Sequence, residues 1–304
     1  MTTLPTSAFY ERASSQISSL RARAEGYQTQ ISTGERLERS SQDPVAAARL
    51  RLLGRRERLD EVTRHNSDRA SSELAFADNG LSSTANLLAR ARELATQAAN
   101  ATMSDTDRAA IGEEVAQLQE NLLSIANSRN GAGHALFGGE ATGLAYERQA
   151  DGSIAYIGTG SASLVDLGDG QEVSQGLAGP EAFAFDHQGN PTDLFAVIGT
   201  LADALKATGG DPVTASRDAL SALDSGLERV TTAQTVIGAR MNWVDQLSER
   251  REAAGQLVDA EQADLGGADI AETITKLQHT MTVLEASQAS FVRLSGLTLF
   301  DMLR

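Results

Sequence analysis

The sequence predicts a mainly α-helical protein, an elongated helical bundle or coiled-coil rod with paired N- and C-terminal helices and a small β-containing insert. Near both ends, apolar residues recur at alternating spacings of three and four, the period of a coiled-coil seam. Aromatic residues make up 4% of the 304 residues although 41% are hydrophobic, which favours helical rods over thick globular cores. Aperiodic, glycine-rich sequence is concentrated in one central segment, where we expect the insert.

The N-terminal stripe predicts a helix with one narrow apolar face, and the C-terminal stripe repeats its spacing. A single stripe is more often the core-facing side of an ordinary amphipathic helix, but two matching stripes favour pairing. Because small and polar residues interrupt both seams, an isolated pair is weakly held. We therefore expect the ends to order fully, and Leu20 and Leu277 to become buried, only on assembly. The predicted assembly interface consists of Ile17, Leu20, Tyr27, Ile31, Ile270, Ile274, Leu277, Met281, Leu284 and Phe291.

Helix starts are predicted where an Asp precedes a Pro. Asp43 and Asp211 can each cap free backbone amides, while Pro44 and Pro212 occupy the first helical position, where no N–H is needed. The tract after Pro44 predicts one very long helix or two nearly continuous ones. We divide the chain into an N-terminal coiled-coil helix (1–40), a long-helix core (41–135), a β-rich outer insert (136–192), a helical core return (193–265) and a C-terminal coiled-coil helix (266–304).

The insert is predicted from the loss of helical period between Leu136 and Pro191. Short runs at 153–157 and 163–167 are typical of strands between turns. The segment 131–211 carries 11 acidic and two basic residues, which suits a solvated outer surface. We expect short deletions within 145–190 to be tolerated.

Composition argues against several classes of function. The net charge of -15 disfavours nucleic acid and anionic membranes as partners, and the absence of cysteine excludes disulfides and thiolate sites. The four histidines lack metal-ligand spacing, and acidic neighbours such as Glu113 and Glu114 are common on solvated helices. We predict no enzyme activity, no catalytic or metal site and no cofactor. Since the first twenty residues lack the pattern of a secretory signal, export would need another route.

Several motifs, in order, resemble those of the flagellin superfamily. They are ISTGERL at 31–37, SQDPVAAAR at 41–49, ARELATQAAN at 91–100, NGAGHALFGG at 130–139, IGARMN at 237–242, DIAE at 269–272 and LEAS at 284–287. The turn at 137–139 and the ending LTLFDML at 297–303 resemble the hook-filament junction proteins more than the flagellins. The motif positions that we single out are Asp43, Pro44, Arg92, Leu94, Gly133, Phe137, Gly138, Arg240 and Asn242.

The resemblance implies a structural subunit of the bacterial flagellum, secreted through type III export and located at the hook-filament junction. Its implied partners are further copies of itself, the preceding hook-associated protein, flagellin and an export chaperone. It also implies that the terminal helices pair as an inner layer. Two alternatives stay open: a filament-forming flagellin, or a binding module on a helical stalk with its site in 136–191.

Overall fold

The computed structural model describes residues 6–131 and 133–301, and over these residues the protein is mainly helical, as predicted. The helices are α1 (Thr6–Thr33), α2 (Pro44–Ala98), α3 (Asp105–Ala126), α4 (Gly179–Phe183), α5 (Leu194–Lys206), α6 (Pro212–Gly266) and α7 (Ile270–Asp301). The strands are β1 (Tyr146–Arg148), β2 (Ile154–Tyr156), β3 (Leu164–Asp166), β4 (Glu172–Ser174), β5 (Ala184–His187) and β6 (Asn190–Asp193). Ala132, Met302 and Leu303, which belong to the motifs above, lie outside the described residues.

The long helices α2 and α6 each begin next to an Asp side chain that caps a free backbone amide. An Asp43 carboxylate oxygen accepts from the Ala46 N–H at 3.0 Å, and Asp211 accepts from the Thr214 N–H at 3.1 Å. Both helix starts are therefore confirmed. Between Pro44 and Ala98 the chain forms a single helix of 55 residues.

Two compact units divide the chain. The first, called the terminal unit here, contains the chain up to Leu59 and from Ala253 onward, and the second, called the central unit, contains Asp60–Glu252. The long helices α2 and α6 each contribute residues to both units. The finer division of the chain into five segments stays a prediction.

The central unit is built around a cluster of aromatic rings. Phe137, Tyr146, Phe183 and Phe195 are buried, and the rings of Tyr146 and Phe195 have centroids 4.7 Å apart. Such contacts stabilise a core beyond the area that they bury. Helices α3 and α5 pack together beside this cluster.

The insert consists of three antiparallel hairpins, β1–β2, β3–β4 and β5–β6. Strands β2 and β3 lie within the two runs predicted as strands. However, Tyr146, Val165 and Val173 belong to the hydrophobic core of the central unit. Because alternate side chains of these strands point inward, we expect deletions that remove them to destabilise the central unit. The tolerance of 145–190 to short deletions stays a prediction for its exposed turns.

Candidate assembly interface

The terminal helices α1 and α7 pack against each other within one chain. The rings of Tyr10 and Phe291 meet edge to face with centroids 5.6 Å apart. Ala24 is buried, and the predicted interface residues of α1 are half-buried: Ile17, Leu20, Tyr27 and Ile31. The predicted pairing of the terminal helices is thus confirmed.

The contact face of α7 differs from the predicted stripe. Leu284 is 8% exposed, and Leu277 and Phe291 are half-buried, but Thr273 and Thr280 are also buried. Leu20 and Leu277 are only half-buried in the single chain, so the expectation that they become fully buried on assembly stays a prediction.

The buried threonines explain the shift of the seam. The Thr273 hydroxyl donates to the Asp269 carbonyl at 2.6 Å, and Thr280 donates to the Lys276 carbonyl at 2.8 Å. Because each hydroxyl is satisfied inside its own helix, its burial carries little polar cost. Reading by hydrophobicity alone missed these two residues, although their spacing to Leu277 and Leu284 alternates between three and four.

The remaining predicted α7 residues form an exposed apolar row, which we call the α7 flank. Ile270, Ile274 and Met281 are 39%, 40% and 44% exposed. Separations of four and seven residues put all three on one side of the helix. Single exposed apolar residues are ordinary on a protein surface, but an aligned row is typical of an interaction site.

An open groove of about 570 Å³ lies along the α1–α7 pair. Arg12, Ala13 and Ile17 line it from α1, and Val283 and Phe291 line it from α7. The pair therefore offers both a groove and an apolar flank to a neighbour.

A set of hydrogen bonds joins the loop after α1 to the end of α6, and we call it the clasp. The Arg36 N–H donates to the Gly266 carbonyl at 2.7 Å, and the Ala268 N–H donates to the Gly34 carbonyl at 2.8 Å. The Arg36 guanidinium also donates to the Leu265 carbonyl at 2.8 Å and lies 3.3 Å from an Asp43 carboxylate oxygen. One cation thus contacts the C-terminal end of α6, where positive charge is favoured, and the cap of α2.

The electrostatics of the terminal unit follow from such contacts. The pKa of the Asp43 carboxyl is lowered, mainly by the N–H of Ala46 and then by Arg36. Arg49 meets Glu261 in a two-point contact at 2.5 and 2.8 Å, which lowers the pKa of the Glu261 carboxyl and raises that of Arg49. The pair of Arg49 and Glu261 thus joins α2 to α6 within this unit.

In the central unit, Arg92 and Leu94 contribute to packing and ion pairing. Leu94 is 1% exposed. Arg92 Nε lies 2.7 Å from a carboxylate oxygen of Asp224, but its N–H is not aligned for a hydrogen bond. The contact is therefore an ion pair without a directed bond.

The motif around Phe137 forms a tight turn against α2. Gly133 has a φ of 85°, which favours glycine, and the Phe137 ring is fully buried. A Cβ at Gly80 would lie 3.2 Å from this ring, and one at Gly138 would lie 3.2 Å from the Cβ of Ala135. Small residues at both positions let the ring and the turn approach their neighbours.

The last motif positions differ in exposure. Arg240 donates to the Gly176 carbonyl and so ties α6 to the insert, whereas Asn242 is exposed. Their spacing of two on a helix places them on different sides.

Within the described ranges, no group of three or more metal-ligating side chains comes together. No described helix is both long and apolar enough to cross a membrane. The candidate site consists of the groove along the α1–α7 pair and the exposed α7 flank, both on the terminal unit.

Comparison with known proteins agrees with this geometry. Residues 5–142 match the family described as bacterial flagellin N-terminal helical region. The chain is 27% identical to flagellar hook-associated protein 3 of Escherichia coli K12 over 98% of each chain. It is 23% identical to a flagellin of Halalkalibacterium halodurans over 85% of this chain and 83% of the relative. Its fold is similar to that of the flagellar junction protein FlgL of Legionella pneumophila, with a TM-score of 0.61, 16% identity and coverage of 72% and 100%.

Proposed function

We propose that this chain is a member of the flagellin superfamily and a structural subunit of the bacterial flagellum that joins the hook-associated zone to the flagellin filament. The observation that carries the proposal is the α1–α7 pair, which leaves an apolar flank uncovered on a chain similar along its length to a hook-associated protein. The contact between α1 and α7 covers one side of each terminal helix. The α7 flank then remains to contact neighbouring subunits.

We also propose which proteins this chain contacts and how it leaves the cell. Copies of the chain would form a short assembly that contacts the preceding hook-associated protein on one side and flagellin on the other. An export chaperone would hold the α1 and α7 segments before export through the flagellar type III apparatus. The role is mechanical, so it needs neither a catalytic group nor a cofactor.

The direct test is deletion of the gene in the bacterium that carries it. We expect cells that keep a hook, lack a filament and release flagellin monomers into the medium, with all three restored by the intact gene. Cells without a hook, or cells with normal filaments, would contradict a junction role.

A flagellin is the second candidate, because the chain is also similar to a flagellin over most of its length. The two candidates differ in how far the purified protein assembles. A flagellin forms long filaments alone, whereas a junction subunit stops after a short assembly, a difference that electron microscopy shows directly. No observation on the described insert residues favours a binding module with a site there.

A further inference from the structure

The first turns of α2 carry an outward apolar face that the α1–α7 pair does not explain. Val45 is 80% exposed and Leu52 is 56% exposed, while Ala48 and Arg55 are exposed between and beyond them. The spacings of three, four and three place these residues in one row, which we call the α2 face. Leu53, on another side of the helix, is 3% exposed.

The last turns of α6 carry a second outward row in the same unit. Leu257 is 73% exposed, and Ala253, Ala260 and Asp264 are exposed. Spacings of four, three and four align them, and we call this row the α6 face. The neighbouring Val258 is 7% exposed, so the helix buries a different side.

The helical segments that carry the two faces have opposite charge, and Arg55 lies on the α2 face itself whereas Asp264 lies on the α6 face itself. Residues 45–59 contain five arginines and one glutamate, whereas residues 253–264 contain three carboxylates and no basic residue. In the described part of the chain, Arg51, Arg55 and Arg58 form no ion pair, and neither do Asp259 and Asp264. Unused charges of opposite sign next to matching apolar rows favour docking between the faces and set its orientation.

We propose that the α2 face of one copy docks on the α6 face of a second copy. The two faces use different residues, so the contact is heterologous, and each copy keeps one face open for the next. A heterologous contact closes into a ring or continues as a helix rather than stopping at a dimer. This inference rests on the proposed assembly function and names the surface that joins its subunits.

Cysteine cross-linking of the full chain tests the contact, because the sequence contains no cysteine. One preparation carries Leu52→Cys and the other carries Leu257→Cys. Mixed under mild oxidation, they should form the disulfide-linked heterodimer roughly ten times faster than either forms a homodimer, since docking holds the two thiols together. A chain that carries both cysteines should form a ladder of cross-linked multimers.

The matched control is Gln256→Cys, which is exposed but lies off the α6 face, one position from Leu257. Cross-linking of Leu52→Cys to Gln256→Cys at the same rate would overturn the proposal, as would a predominance of Leu52→Cys homodimers. A photoreactive benzophenone attached to the cysteine of Leu52→Cys should capture a second copy. Capture of added purified flagellin instead would assign the α2 face to flagellin and overturn the proposal.

Charge-reversal variants test the same contact independently. Arg55→Glu or Asp264→Arg alone should slow the Leu52→Cys and Leu257→Cys cross-link severalfold, and the two changes placed on opposite partners should restore it. Additive slowing without rescue would contradict the charge pairing. Failure of these tests leaves the gene-deletion test of the proposed function intact, because that test concerns the whole chain.

Discussion

Arg36 and Leu265 are 229 residues apart in the sequence, yet the Arg36 guanidinium donates to the Leu265 carbonyl from Nη2 at 2.8 Å and from Nε at 3.2 Å. The contact occupies a carbonyl in the last turn of α6, which no residue of that helix can satisfy. The loop after α1 and the end of α6 are thereby held in a fixed register.

Replacement of Arg36 should loosen the clasp without unfolding the helices. In Arg36→Ala, we expect the Ala268 amide to exchange roughly ten times faster, since a charge-assisted contact beside its hydrogen bond is lost. Hydrogen exchange resolved by segment measures this. Arg39→Ala, which removes an exposed arginine nearby, should leave the exchange rate unchanged, and equal effects of both changes would contradict the role of Arg36.

Acid should weaken the α2–α6 contact in the terminal unit through Glu261. Its pKa lies below the ordinary value of 4.5 because of the hydrogen bond from Arg49. The stabilisation is therefore fully present above pH 4.5 and is lost as the pH falls through the lower pKa of the folded state. The difference in melting temperature between the wild type and Glu261→Gln should be constant near neutral pH and shrink below pH 4.5; a difference that grows in acid would contradict the assignment.

Truncation of Tyr146 should destabilise the central unit strongly. The side chain is 3% exposed and its ring packs on Phe183 and Phe195, so Tyr146→Ala should lower the free energy of unfolding by about 3 to 5 kcal/mol. Leu164→Ala, at a residue 60% exposed, should cost less than about 1 kcal/mol. Urea unfolding measures both, and similar losses would mean that the insert does not share the core.

The turn between β5 and β6 offers a stabilising substitution. Gln188 has a φ of 54° and the following Gly189 has a φ of 80°, the backbone of a two-residue hairpin turn that favours Asn followed by Gly. Gln188→Asn should raise the free energy of unfolding by about 0.5 kcal/mol. Gln171→Asn, at an exposed residue without positive φ, should have no such effect, and equal gains would show that the turn geometry is not the cause.

The sequence predicted those features that depend on local chemistry. Asp43 with Pro44 fixed a helix start because capping needs only neighbouring residues. The burial of Tyr146 was missed because acidic neighbours dominate its segment, and only the packing of distant elements places its ring in the core. On α7, the large side chains of Ile274 and Met281 concealed the role of Thr273 and Thr280, whose hydroxyls are satisfied within the helix.

The central claim is that the α7 flank contacts neighbouring subunits in the assembled flagellum. Met281→Asp in motile cells tests this contact most directly. Met281 is 44% exposed, so the charge should be tolerated in the folded chain, whereas burial of an unpaired charge in an assembly costs several kcal/mol. The circular dichroism and melting temperature of the purified protein should stay close to wild type. His279→Asp adds a charge at an exposed residue on another side of the helix and serves as the control. We expect cells with Met281→Asp to stop swimming and release flagellin into the medium, while cells with His279→Asp keep filaments; normal filaments with Met281→Asp, or equal loss with both, would contradict the account.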